Sequence, residues 1–192
     1  MKLQTNSSQR GMGQRGMTML ELLIAMSVLA IGMGGMLAVF TAAIASNSKA
    51  KSDTSGTMLA QTVMERIAAQ PASPGGGNIL IQDCNPAGPV TWTIATAPGG
   101  ANLLAQNNGQ GSVNSVDWSQ TYANTPANYK MQFVACGNNG RQVTFDVRWN
   151  VQTISANSRL ITVSARPITA DAGNRNRLMY AQPVTLRTIG GV

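Results

Sequence analysis

Residues 16–21 read Gly16-Met17-Thr18-Met19-Leu20-Glu21, and the run behind them contains no Asp, Glu, Lys, Arg, Pro, Asn or Gln from Leu22 to Ala45. A carboxylate therefore stands at the head of a segment longer than the roughly 20 apolar residues that cross a bilayer. A lone carboxylate at that depth is costly, so an ionisable residue in such a place is functional by default and needs a partner. The next charged residue is Lys49, so the partner does not lie within the apolar helix itself. The pattern describes a membrane helix that leaves the bilayer to join another body, in contrast to a permanent anchor.

Upstream, residues 1–16 hold Lys2, Arg10 and Arg15 and no acid, and the positive-inside rule places this end in the cytoplasm. Two other readings of the segment stay open. An ordinary secretory signal would be cut after the apolar run, where Ala43, Ala45 and Ser46 are small enough, and would discard the helix that carries Glu21. A plain signal-anchor would keep the helix and leave Gly16 uncut.

The order Gly16, Met17, Thr18, Met19, Leu20, Glu21 behind a short basic leader resembles that of type IV prepilins and type II secretion pseudopilins. The family pattern is Gly, an aromatic or Met residue, a small or hydroxyl residue, two apolar residues, then Glu. The resemblance implies that a prepilin peptidase cuts between Gly16 and Met17 and N-methylates Met17. It also implies that Glu21, now fifth in the mature chain, neutralises the terminal amine of a neighbouring subunit. The implied partners are that peptidase, other pilins or pseudopilins met through the N-terminal helix, the inner-membrane assembly platform and the lipid bilayer. Met17 stands where major pilins carry Phe, which points to minor pilins and pseudopilins. Ala60-Gln61-Thr62-Val63-Met64-Glu65-Arg66-Ile67 further resembles the A-Q-x-x-x-E-R-I/M stretch of PilV-type pilus modification proteins and related pseudopilins. The expectation is a minor pilin stored in the inner membrane, with its C-terminal domain outside the cytoplasm, before it enters a pilus. A minor pseudopilin of a type II secretion system and a tip pilin that binds DNA or surfaces are the alternatives.

The domain plan is a leader over 1–16, a helix over 17–70 with its transmembrane half at 22–45, and a globular domain over 71–192. The helix reads on to Gln70, where Pro71 stops it. Beyond the apolar half it turns amphipathic, with Met58, Leu59, Val63, Met64 and Ile67 at helical spacing. Ala30, Gly34, Ala38, Ala42, Ser46 and Ala50 recur every four residues, a stripe that lets helices approach closely or that an Ala- and Gly-rich run yields by chance. Pro71-Ala72-Ser73-Pro74-Gly75-Gly76-Gly77 is a linker. Strands are predicted over Val90–Ala95, Val143–Val151, Leu160–Ala165 and Met179–Leu186, the last at an edge because of Pro183. Gly137-Asn138-Asn139-Gly140 reads as a turn, and 98–128 as a long loop pinned by Trp118 and Tyr122. Packing an antiparallel sheet on the amphipathic half-helix buries both faces, so the fold class is α+β, type IV pilin-like.

Composition narrows the chemistry. The 192 residues include no histidine, the commonest general base and metal ligand. The seven acids are scattered, and neither a catalytic carboxylate pair nor a zinc site takes shape. Asp171-Ala172-Gly173-Asn174-Arg175-Asn176 lacks the calcium-loop order of ligands and reads as a turn. No cofactor is implied, and the sequence does not describe an enzyme. The net charge of +7 includes three positive charges from the leader, and Arg166, Arg175, Arg177 and Arg187 form no basic-aromatic stripe, so nucleic acid is not indicated. Cys84 and Cys136 are the only cysteines. In an exported domain an even pair favours a disulfide over a metal site, contributing about 4 kcal/mol by loop closure. Two buried free thiols are the alternative.

Overall fold

The apolar run and the amphipathic stretch behind it form one helix, α1 (Met19–Ala68), in a computed structural model that describes residues 17–72, 77–104, 114–136, 142–168 and 183–191. No proline interrupts it. Ser27 and Thr41 are the only polar side chains between Leu22 and Ala45, and both turn back on the helix. Ser27 Oγ donates to Leu23 O at 2.8 Å and Thr41 Oγ1 to Ala38 O at 2.9 Å, so neither hydroxyl asks for water. The helix ends one turn before the proline. Gln70 N bonds back to Ile67 O at 3.2 Å, tightening the last turn, and Pro71 follows.

The chain divides into two units, Met1–Ser46 and Asn47–Val192. In the first, every large apolar side chain from Met17 to Ile44 is exposed. An apolar surface of that extent requires a cover of lipid or other helices. It is the one helix among the described residues that is long and apolar enough to cross a membrane.

In the second unit the strands are β1 (Ile79–Gln82), β2 (Thr91–Ile94), β3 (Gly99–Gly100), β4 (Lys130–Val134), β5 (Thr144–Ser155), β6 (Ser158–Pro167) and β7 (Val184–Gly191). All pairings are antiparallel. β1 and β2 form a two-stranded sheet, and the larger sheet runs β3-β5-β6-β7, with β4 beside β3 on the same edge of β5. Alternation along β5 sends Phe145, Val147, Trp149 and Val151 to one face, where all are buried. Ile161, Val163 and Ala165 of β6 join them opposite Leu59, Ala60, Val63 and Ile67 of α1. Gly56 lets the helix come close. A Cβ there would stand 3.3 Å from the Phe145 ring.

The predicted strands at 90–95, 143–151 and 160–165 appear with shifted ends. The fourth lies further on, from Val184, past Pro183, as the last strand in its sheet. The turn at 137–140, the loop at 171–176 and the start of the fourth predicted strand fall outside the described residues. β1, β3 and β4 were not legible as strands. β3 is two glycines inside the predicted loop, and Gly100 is obligatory: its φ is +124°, and a Cβ would run into the Trp149 carbonyl.

That loop is pinned by Trp118 and Tyr122 through a stack of cations on the outer face of the sheet. The guanidinium carbons of Arg166 and Arg148 sit 4.2 and 4.7 Å from the Trp118 ring centre, and Lys130 Nζ lies 4.7 Å from that of Tyr122. Lys130 also donates to Tyr122 O at 2.6 Å, and Arg148 to Gln120 O at 2.5 Å. Asp146 pairs with both arginines, 2.8 Å from Arg148 and 3.4 Å from Arg166.

Candidate functional site

The first described residues are Met17 and Thr18, both exposed and both ahead of the helix. Thr18 is the N-cap. Its Oγ1 accepts from Glu21 N at 3.3 Å, and its carbonyl accepts from Leu22 N at 3.2 Å. Thr18-Met19-Leu20-Glu21 therefore has the spacing of a capping box, and Glu21 lies in the first turn, where the helix dipole favours an acid. This local role was readable in the T-x-x-E spacing but was not drawn from it. It gives Glu21 a second reason to occupy its position, and it fixes the N-cap two residues after Gly16 and the helix start at Met19. Gly16 itself lies outside the described residues.

Among the described residues Glu21 has no ion-pair partner. No group of three or more His, Cys, Asp or Glu could hold a metal ion among them either. The described part of the site is thus an exposed Met17-Thr18 ahead of a capped helix start, one carboxylate and an exposed apolar surface.

Packing accounts for the apolar positions of Ala60–Ile67. Ala60, Val63 and Ile67 face the core, and Gln61 Nε2 donates to Glu65 Oε1 at 2.8 Å on the outside.

Cys84 and Cys136 are joined in a disulfide that closes 52 residues and ties the end of β1 to the end of β4. Next to it, Asp83 organises the loop between β1 and β2. Burial works against its charge, yet hydrogen bonds from Val90 N at 2.7 Å, Trp92 Nε1 at 3.2 Å and Asn85 N at 3.2 Å outweigh it and hold the pKa below the usual 3.8. A depressed carboxylate pKa stabilises the fold above its unfolded value, and the contribution is lost as pH falls through the folded value. Asp83→Asn should therefore cost ~1–3 kcal/mol at neutral pH. The difference from wild type in urea melts should shrink below pH 3.8. An equal difference at pH 7 and in stronger acid would contradict it.

A family model of the prokaryotic N-terminal methylation motif matches residues 11–37. No curated protein and no solved structure matches the chain. The matched span is the type IV prepilin signature, and it covers Gly16 to Glu21 and the apolar run as far as Leu37. With a long apolar N-terminal helix and antiparallel sheets, the fold is α+β and type IV pilin-like. Motif and fold together support a structural protein of the type IV pilin or pseudopilin type.

Proposed function

We propose that this chain is a minor pilin, a structural or priming subunit of a type IV pilus. It is stored in the inner membrane by residues 22–45, with residues 1–16 in the cytoplasm and residues 71–192 outside it. Prepilin peptidase cuts between Gly16 and Met17 and methylates Met17. The assembly platform then draws the helix out of the bilayer into a stack of pilin helices. The observation that carries this reading is the methylation motif at 11–37, set on a helix whose large apolar side chains are all exposed from Met17 to Ile44. Glu21 would find its partner in the methylated amine of Met17 on a neighbouring subunit.

Met17 in place of Phe supports the minor class, and a minor pseudopilin of a type II secretion system would be processed and assembled by the same steps. Display of a nucleic-acid surface is less well supported. Of the described cations against aromatic rings, Lys130 and Arg148 are engaged with the loop's own carbonyls and rings, and Arg166 with the Trp118 ring and Asp146, which leaves them poorly placed to neutralise phosphates.

Processing is tested by expressing the full chain with a prepilin peptidase. Gly16→Ala should be cleaved more slowly but to completion, and Gly16→Glu should remain uncut, because a pocket shaped for glycine rejects a charged side chain first. Cleavage of Gly16→Glu at the wild-type rate would contradict the assignment of the scissile bond.

A further inference from the structure

Arg159 lies near the start of β6 and shares its inward face with Ile161, Val163 and Ala165. It is only 4% exposed, and among the described residues it has no carboxylate partner. Its donors reach backbone carbonyls from two separate parts of the chain. Nη2 donates to Ile67 O in the final turn of α1 and to Gln70 O just beyond it, while Nη1 donates to Thr96 O, just past β2, at 3.1 Å. Nε has no partner among the described residues.

A buried guanidinium without an acid is costly. What offsets the cost here is the helix end itself. The last carbonyls of a helix lack intrahelical acceptor bonds and carry the negative end of its dipole, and charge-assisted bonds to them are strong. The backbone also closes in at this point, since a Cβ on Gly190 of β7 would stand 3.6 Å from Ala68 Cα.

We propose that Arg159 is a clasp that fixes two parts, the last turns of α1 and the β1–β2 hairpin, to the five-stranded sheet. Without it the two parts open together while the sheet stays folded. A two-stranded hairpin is marginal by itself and helix ends fray, so both belong to the least stable end of the domain. The hairpin keeps its disulfide and the bond from Trp149 Nε1 to Ala95 O at 2.9 Å. These hold it to the sheet but not to the helix. Arg66 of α1 adds one exposed bond to Leu80 O of the hairpin at 3.3 Å, but from the sheet Arg159 bonds to both parts at once, and it does so where water is excluded. The inference concerns the folded domain alone and stands whatever the chain assembles with.

Hydrogen exchange read by mass spectrometry on the full chain in detergent micelles tests it. In Arg159→Met, amides of Val63–Gln70 and of Ile79–Ala95 should exchange roughly tenfold faster or more, with Phe145–Val151 and Ile161–Ala165 at the wild-type rate. Arg159→Lys keeps the charge with fewer directed donors and should give a smaller acceleration in the same two segments. Unchanged exchange in Arg159→Met, or acceleration in only one of the two segments, overturns the clasp. Should Arg159→Met lose protection everywhere, the lysine variant decides: selective acceleration of both segments supports the clasp, and uniform or absent acceleration overturns it.

Discussion

Glu21→Val should be inserted and cleaved like the wild type and should then be nearly absent from assembled filaments. Removing a charge from an apolar segment makes insertion easier, so storage in the membrane has no reason to suffer. In the stack, the methylated amine of a neighbouring Met17 would be left unpaired in an apolar core. Breaking a buried pair in that way costs about 3–5 kcal/mol, which is a loss of roughly a hundredfold or more in an equilibrium constant. The capping geometry adds a control that a charge argument alone lacks. Glu21 N accepts no change from the valine side chain, and its bond to Thr18 Oγ1 is retained, so the helix should still start at Met19. Glu21→Gln keeps size and hydrogen-bonding capacity without the charge, and it should resemble the valine variant if charge is what matters. The readout is the fraction of mature chain in sheared filaments relative to membranes. Wild-type incorporation of both variants would remove Glu21 from the assembly mechanism.

The second large effect lies in the sheet domain. Asp146 and Arg148 are both nearly inaccessible to solvent and form a two-point ion pair, with Nε and Nη2 of the arginine donating at 3.1 and 2.8 Å. Asp146→Ala would leave the Arg148 guanidinium buried with only the Gln120 carbonyl and the rings of Trp118 and Tyr122. A loss of about 3–5 kcal/mol is expected, read as a lower urea midpoint at unchanged slope. Pairing Asp146→Leu with Arg148→Met removes both charges at once, and this double variant should be more stable than Asp146→Ala. A single variant that unfolds at the wild-type midpoint would show that the pair is not the anchor of the loop.

Legibility followed the range of the interactions. The helix, the apolar surface and the processing motif are local patterns, and residues 16–70 could be read in order. So could β5 and β6, where Phe145, Val147, Trp149 and Val151 alternate with polar residues. What escaped depends on distant partners. β4 carries Met131 and Phe133 inward, but only pairing with β5 makes Lys130–Val134 a strand. Gly99 and Gly100 have no strand propensity at all and are placed by the backbone of Asn150 and Val151. The outer stack draws Trp118, Tyr122, Lys130, Arg148 and Arg166 from four separate stretches, so its ordering had no signature along the chain. Arg159 stands just ahead of the predicted strand at 160–165 and carries no signal along the chain. Its role depends on carbonyls of Ile67, Gln70 and Thr96 far away in sequence.

Processing between Gly16 and Met17 is the claim on which the proposed assembly depends, and the mass of the mature amino terminus tests it most directly. Chain purified from membranes of cells that contain a prepilin peptidase should yield an N-terminal peptide that begins at Met17 and carries one methyl group on its amine. A chain that retains Met1, or one that begins near Asn47, would contradict the account.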